Sequence, residues 1–215
     1  MACKSIVLNE VGKKFQHKWI FRGLNATINQ DEAVSITGDN GAGKTTLLKM
    51  ISGFLSPNQG AIQFFDHENK KISRDDIYKD VTFAAPYIQL MSRLNLKENI
   101  ELLRRFQPLQ SGLDTDSLID LMQLKQAAHK QIRFYSSGMQ QRVKLALAIC
   151  ADSSILILDE PTTNLDEAGA NWYQSILQQY GTGRIVFIAS NAQKDFDFCN
   201  RTLSILDYKK KKTAV

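Results

Sequence analysis

Cysteine is scarce in this chain, with three in 215 residues, at positions 3, 150 and 199. They are too few and too scattered for a disulfide framework or a zinc site, and that usage fits a reducing cytoplasm. Cys150 follows Leu147, Ala148 and Ile149, the setting of a small apolar core residue. Long apolar runs are missing too. The densest, Ile155–Leu158 and Ile185–Ala189, have strand length, far short of the roughly 20 residues that span a bilayer, so the chain cannot itself be a channel. The opening, Met1-Ala-Cys-Lys-Ser-Ile-Val-Leu8, has no long apolar stretch behind a basic segment, and a signal peptide is not expected. A strong excess of one charge is also lacking. Lys and Arg number 27 against 22 Asp and Glu, a net +5, but four of the positive charges form the run Lys209–Lys212. The remainder is close to neutral, so no nucleic-acid partner is expected, and residues 209–215 are expected to form a solvated basic tail. What is present, 43% hydrophobic residues, supplies the core of one ordinary domain and excludes a disordered or fibrous chain.

Short apolar runs alternate with helical patterns over most of the length, which predicts an α/β core with a largely parallel sheet. Residues 5–8 and 19–29 read as strands before any helix, so a small antiparallel β layer is expected ahead of that core. The first core strand is Ala33–Thr37, running into Gly38, and Val81–Ala85 is another. Between Tyr87 and Tyr135 no good strand is found, but two amphipathic stretches are, one with Leu96, Ile100 and Leu103 and one with Leu118, Leu121 and Met122. This segment, 87–135, is expected to be a helical insertion in a single domain whose β layer and α/β core take residues 1–86 and 136–208. A helix carrying Met139, Val143, Ala146, Leu147 and Cys150 follows, then strands at 155–158, 185–189 and 202–206 and a helix around Trp172–Tyr180.

Gly38-Asp39-Asn40-Gly41-Ala42-Gly43-Lys44-Thr45 fits G-x-x-x-x-G-K-[ST] and lies between a strand and the helical run from Thr46. Glycines there let the backbone amides turn inward onto phosphate oxygens, helped by the helix dipole. Lys44 then reaches the β- and γ-phosphates and the Thr45 hydroxyl ligates Mg²⁺. A turn that merely begins a helix would need neither Lys44 nor three glycines. Downstream, the apolar strand ending Ile155-Leu-Ile-Leu-Asp-Glu160 delivers two acids to the edge where open α/β sheets bind ligands. Asp159 would hold Mg²⁺ through water, and Glu160 would orient and deprotonate the attacking water. Acids at a strand end also serve as helix caps, and the upstream phosphate loop decides for chemistry. Several kinds of phosphate-loop enzyme remain open at this point.

Tyr135-Ser-Ser-Gly-Met-Gln-Gln-Arg-Val143 narrows them. With this segment ahead of the acidic strand, and with Asn164-Leu-Asp166 behind it, the sequence resembles the ATP-binding cassette (ABC) ATPases over essentially its whole length. The resemblance implies that the loop at Ser136, Ser137 and Gly138 completes the nucleotide site of a second cassette, so the active form is a homodimer or heterodimer. It implies an aromatic stacked on adenine at Phe15, with Trp19 the alternative, and an interface-crossing loop at 164–166. It also implies a transmembrane transporter subunit as partner, ATP and Mg²⁺ as ligands, and a place on the inner face of the cell membrane.

Three positions depart from the family pattern. The signature is Tyr-Ser-Ser-Gly-Met where Leu-Ser-Gly-Gly-Gln is commoner. Pro86 stands where a Mg²⁺-sensing glutamine is expected, leaving Gln89 as its substitute only if the loop is rearranged. Asn191 stands where a switch histidine contacts the γ-phosphate, and an amide cannot become cationic. The expectation is an ATPase subunit of a transporter that binds ATP better than it turns it over. Its rivals are a soluble ABC ATPase acting on ribosomes or DNA and a regulatory nucleotide-binding subunit. Tyr87, Gln89 and Met91 are further expected to line an exposed groove for a short helix of the membrane subunit.

Overall fold

The computed structural model describes residues 2–209, and the expected basic tail lies outside them except for Lys209. Two sheets share the molecule. The antiparallel one has the order β2-β1-β4-β5, built from β1 (Cys3–Phe15), β2 (Lys18–Asn29), β4 (Gln59–Asp66) and β5 (Lys71–Ile72). The register of β1 on β2 pairs Ile6 with Ile28 and Leu8 with Ala26, then slips between Leu8 and Val11 and twice more before the hairpin closes. Such irregularities bend and twist a strand. The β layer does precede the core in sequence, but only in part. Half of its strands, β4 and β5, come after the phosphate-loop helix.

The second sheet is parallel, order β6-β7-β8-β3-β9, from β3 (Ala33–Thr37), β6 (Val81–Ala84), β7 (Ile155–Asp159), β8 (Ile185–Ala189) and β9 (Arg201–Ser204). Every residue of β7 and β8 is buried, as expected of central strands covered on both faces. Alternation along β7 splits the core. Ile155 and Ile157 face the β layer and α1 (Lys44–Ile51), where Phe21, Leu24, Leu48 and Phe64 pack. Leu156 and Leu158 face the opposite side, with Val143 and Ala146 of α4 (Ser137–Ile149) and Tyr173 and Ile176 of α5 (Glu167–Tyr180). The last strand is shorter than the sequence suggests, because residues 205–208 turn into a 3₁₀ helix.

Between β6 and α4 the chain forms α2 (Leu96–Arg104), α3 (Thr115–Leu121) and two 3₁₀ turns. Both α-helices begin with reciprocal capping boxes, Asn95 with Glu98 and Asp114 with Ser117, which satisfy amides that the first turn leaves free. Leu96, Ile100, Leu118 and Met122 are fully buried, whereas Leu103, expected on the same apolar face, stays exposed. Among the described residues no helix is long and apolar enough to cross a membrane. Because β3, β7 and β8 run parallel in adjacent register, their carboxyl ends share one edge, with Asp159 opposite Ala189. That edge gathers the loop 38–43, Glu160 and the segment after Ala189.

Candidate active site

The loop from Gly38 to Gly43 wraps into the start of α1 and, with Ile20 and Glu160, encloses a cleft of about 250 Å³. Asp39, Asn40, Gly41, Ala42, Gly43, Lys44, Thr45 and Thr46 all line it. Gly43 has φ 112, and a Cβ there would overlap Ile20 Cγ2. Only glycine gives the backbone both that conformation and that approach. Lys44 is just 6% exposed, and its Nζ donates to the Gly38 carbonyl and to Asn191 Oδ1, each at 2.8 Å. A buried ammonium whose partners are neutral oxygens, one from the loop and one from the segment after β8, keeps its charge available to an anion.

Thr45 Oγ1 donates to Asp159 Oδ2 at 2.7 Å, joining the first helix to the end of β7. Burial pushes the Asp159 carboxyl up, against the pull of the Thr45 hydroxyl and the Lys44 charge. Its other oxygen, Oδ1, is buried and has no hydrogen-bond partner among the described residues. An orphaned carboxylate oxygen beside a hydroxyl is the hard oxygen set that Mg²⁺ takes, so these two residues fit that ion. Glu160 follows with φ 48, a left-handed conformation rare outside glycine, locked by its own amide on the Ala189 carbonyl at 2.7 Å. Its Oε1 accepts from Asn191 Nδ2 at 2.6 Å, while Oε2 lies 3.4 Å from the Asn191 amide and 3.5 Å from Ser190 Oγ. The structure therefore brings Lys44, Thr45, Asp159, Glu160 and Asn191 into one cluster.

Other expected residues sit elsewhere. Phe15, at the end of β1, is 49% exposed under the Lys13 ammonium and does not line the phosphate cleft; Ile20, across the hairpin, does. Gln89 is exposed and makes no bond to Asp159. Its neighbour Tyr87 comes nearer, since its phenol is pushed up by burial and by the Asp159 charge, with Lys49 Nζ 4.4 Å above the ring. Ser136 caps α4, its Oγ accepting from the Met139 amide at 3.2 Å. With Ser137 and Gly138 it lines a separate cleft of about 490 Å³ against Asn164, Leu165 and Asp166. A Cβ on Gly138 would lie 3.0 Å from the Asn164 carbonyl, so glycine lets the two loops approach without either giving way. Asp166 also caps α5 through the Gly169 amide at 2.7 Å. Sequence reasoning missed Ile20, Thr162, Ser190 and Asp195, none of which belongs to a motif, and gave Tyr87 only a docking role. The one available signal was a Ser-Asn pair directly after an apolar strand.

Comparison with known proteins agrees with this geometry. A family model described as ABC transporter matches residues 21–163. The ABC transporter ATP-binding protein NatA of Bacillus subtilis is 31% identical over 181 residues, covering 81% of this chain and 74% of that protein. The daunorubicin resistance ATP-binding protein DrrA3 of Streptomyces coeruleorubidus is 28% identical over 96% of this chain and 66% of its own length. In fold, the chain is similar to the ATP-binding cassette MJ0796, solved as a dimer in a post-hydrolysis state with ADP and Pi. The TM-score is 0.77 at 24% identity, over 93% of each chain. The chain belongs to the ABC transporter family, as an ATP-binding ATPase cassette.

Proposed function

We propose that this cassette pairs with a second one, a copy of itself or a different chain, to close around two Mg-ATP molecules and drive a separate transmembrane subunit. The observation that carries the reading is the convergence of Lys44, Thr45 and Glu160 on the cleft beneath the glycine loop, with Asp159 bonded to Thr45. Lys44 binds the β- and γ-phosphates, and the amides of residues 38–46 cradle them. Thr45 and Asp159 would hold Mg²⁺, which when bound neutralises charge on the phosphates; the exposed Gln89 would join them only through a rearranged loop. Glu160 orients the attacking water and takes its proton, since its carboxylate borders the cleft. Phe15 would stack on adenine from the end of β1.

Dimerisation is supported by the position of Ser136, Ser137 and Gly138. They line a cleft of their own, so they would meet a γ-phosphate only on a second cassette. The helical insertion at 87–135 borders an apolar groove suited to a short helix of a transmembrane subunit, which would place the cassette on the inner face of the cell membrane. ATP then acts by population shift, binding the closed dimer better than the open one.

Glu160→Gln tests the reading. Hydrolysis is expected to fall at least about 10²-fold, the lower range for a positioned general base, while an ATP-bound dimer accumulates on size exclusion. A variant that hydrolyses at the wild-type rate, or stays monomeric in saturating Mg-ATP, overturns it. Pro86 and Asn191 favour one second reading, a low-turnover regulatory cassette, which predicts negligible ATPase activity both alone and with the transmembrane subunit.

A further inference from the structure

Asp195 is a carboxylate in the 3₁₀ turn that follows β8. It is 2% exposed, and no lysine or arginine bonds it among the described residues. Burying an unpaired carboxylate is costly, so what it touches should account for it. Its Oδ2 accepts two hydroxyl protons, from Ser190 Oγ at 2.5 Å and from Thr162 Oγ1 at 3.0 Å. Thr162 lies in the loop after Glu160, and Ser190 in the loop after β8, so Asp195 ties together the two segments that flank the general base.

A serine hydroxyl has one proton to give and two lone pairs to receive. Ser190 Oγ already takes the Ala192 amide at 2.9 Å and directs its proton to Asp195. Glu160 Oε2 stands 3.5 Å from that same oxygen. If Asp195 did not claim the proton, the nearest acceptor would be Oε2, the oxygen that Asn191 leaves weakly engaged while it holds Oε1. A hydroxyl bonded to Oε2 would take up a lone pair of that oxygen and lower its basicity toward water.

We propose that Asp195 is a positioning residue for hydrolysis: by holding the Ser190 hydroxyl proton away from Glu160, it keeps Oε2 open to the attacking water. The inference rests on the reading of Glu160 as general base. It makes Asp195 important to kcat and indifferent to ATP binding, and it makes the Ser190 hydroxyl harmful once Asp195 is lost.

Steady-state hydrolysis by the full chain is measured for Glu160→Gln, Asp195→Leu, Asp195→Asn, Ser190→Ala and the double variant Asp195→Leu/Ser190→Ala, with thermal melts on each. Asp195→Leu is expected to lower kcat about tenfold or more, the scale of a hydrogen bond to a charged group, with KM for ATP unchanged. Asp195→Asn keeps an acceptor and stays within about threefold of wild type. The decisive result is the double variant, in which removing the hydroxyl restores most of kcat; a purely structural tie between the loops predicts a further loss. A double variant no better than Asp195→Leu, or an Asp195→Leu enzyme with wild-type kcat, overturns the proposal. Should Asp195→Leu fail to fold, Ser190→Ala decides, because it is expected within about threefold of wild type and a larger loss would mean that the hydroxyl serves Glu160. If Glu160→Gln alone hydrolyses normally, it is the assignment of the base that fails, a result separate from these.

Discussion

Asn191 donates its side-chain amide to Glu160 Oε1 at 2.6 Å, and its side-chain carbonyl accepts from Lys44 Nζ at 2.8 Å, so one neutral residue links the Lys44 ammonium and the Glu160 carboxylate. A histidine in this place could carry a charge of its own toward the γ-phosphate, which an amide cannot. Asn191→His is therefore expected to raise kcat at least about threefold with little change in KM, because the gain lies in the transition state. Single-turnover hydrolysis beside ATP titration checks this. An unchanged rate would locate the restraint in the loop rather than in the residue.

The glycine at position 43 is held to its identity by two separate facts, φ 112 and contact with Ile20. Gly43→Ala is expected to weaken ATP binding more than about tenfold, since backbone strain and overlap both displace amides that cradle phosphate. Adding Ile20→Ala should recover only part, because it relieves the overlap and leaves the strain. Nucleotide titration by fluorescence separates the two. Lys44→Ala, which removes the charge itself, should abolish binding in the same assay.

The parts legible in the sequence were those where residue type is dictated by the ligand or by burial on both faces. The glycines and Lys44 of the phosphate loop announce themselves because phosphate demands backbone amides, and β7 and β8 because a doubly covered strand is apolar throughout. The strand Gln59–Asp66 was not legible, since one face packs on the core while Gln59, Gly60 and Ala61 open it without alternation. Leu103 was misplaced because helical spacing tells which face is apolar and not what covers it. The network around Asp195 escaped for a different reason. Thr162, Ser190 and Asp195 are far apart in sequence or unremarkable in spacing, and only the parallel pairing of β7 with β8 brings them together.

Burial pushes the Asp195 carboxyl up, with the Glu160 charge adding to it and the hydroxyls of Ser190 and Thr162 opposing. A carboxyl raised in the folded state contributes stability while protonated and loses it as pH rises through the folded value. At neutral pH the ionised group is therefore a liability that Asn would not carry. Asp195→Asn is expected to raise the melting temperature at pH 7, and the gain should shrink as pH falls into the acid range. Thermal melts of both proteins across pH 4–8 check the sign, and a gain that grows toward acid would contradict it.

The proposed coupling to a transmembrane partner turns on the apolar groove between β6 and the helical insertion, about 220 Å³ in volume. Tyr87, Gln89 and Met91 are all exposed, yet the wall takes the alternate residues of that segment, Ile88 and Leu90, with Phe83, Leu103 and Leu109. At the same groove, Phe106 is 76% exposed, a large apolar side chain left in water. A short helix from a transmembrane subunit would cover Phe106 and Leu103, and such buried anchors dominate binding where surrounding contacts do not. Phe106→Glu and Leu103→Glu are expected to abolish partner-stimulated hydrolysis while basal hydrolysis and ATP affinity survive. Met91→Glu, on the outer side of the segment, should have a smaller effect. Tyr87→Glu is a different case, because it sets a second carboxylate beside Asp159 and should lower basal hydrolysis as well. Measuring ATPase activity with and without the transmembrane subunit in the same membrane preparation separates these outcomes, and full stimulation of Phe106→Glu would rule the groove out as the docking site.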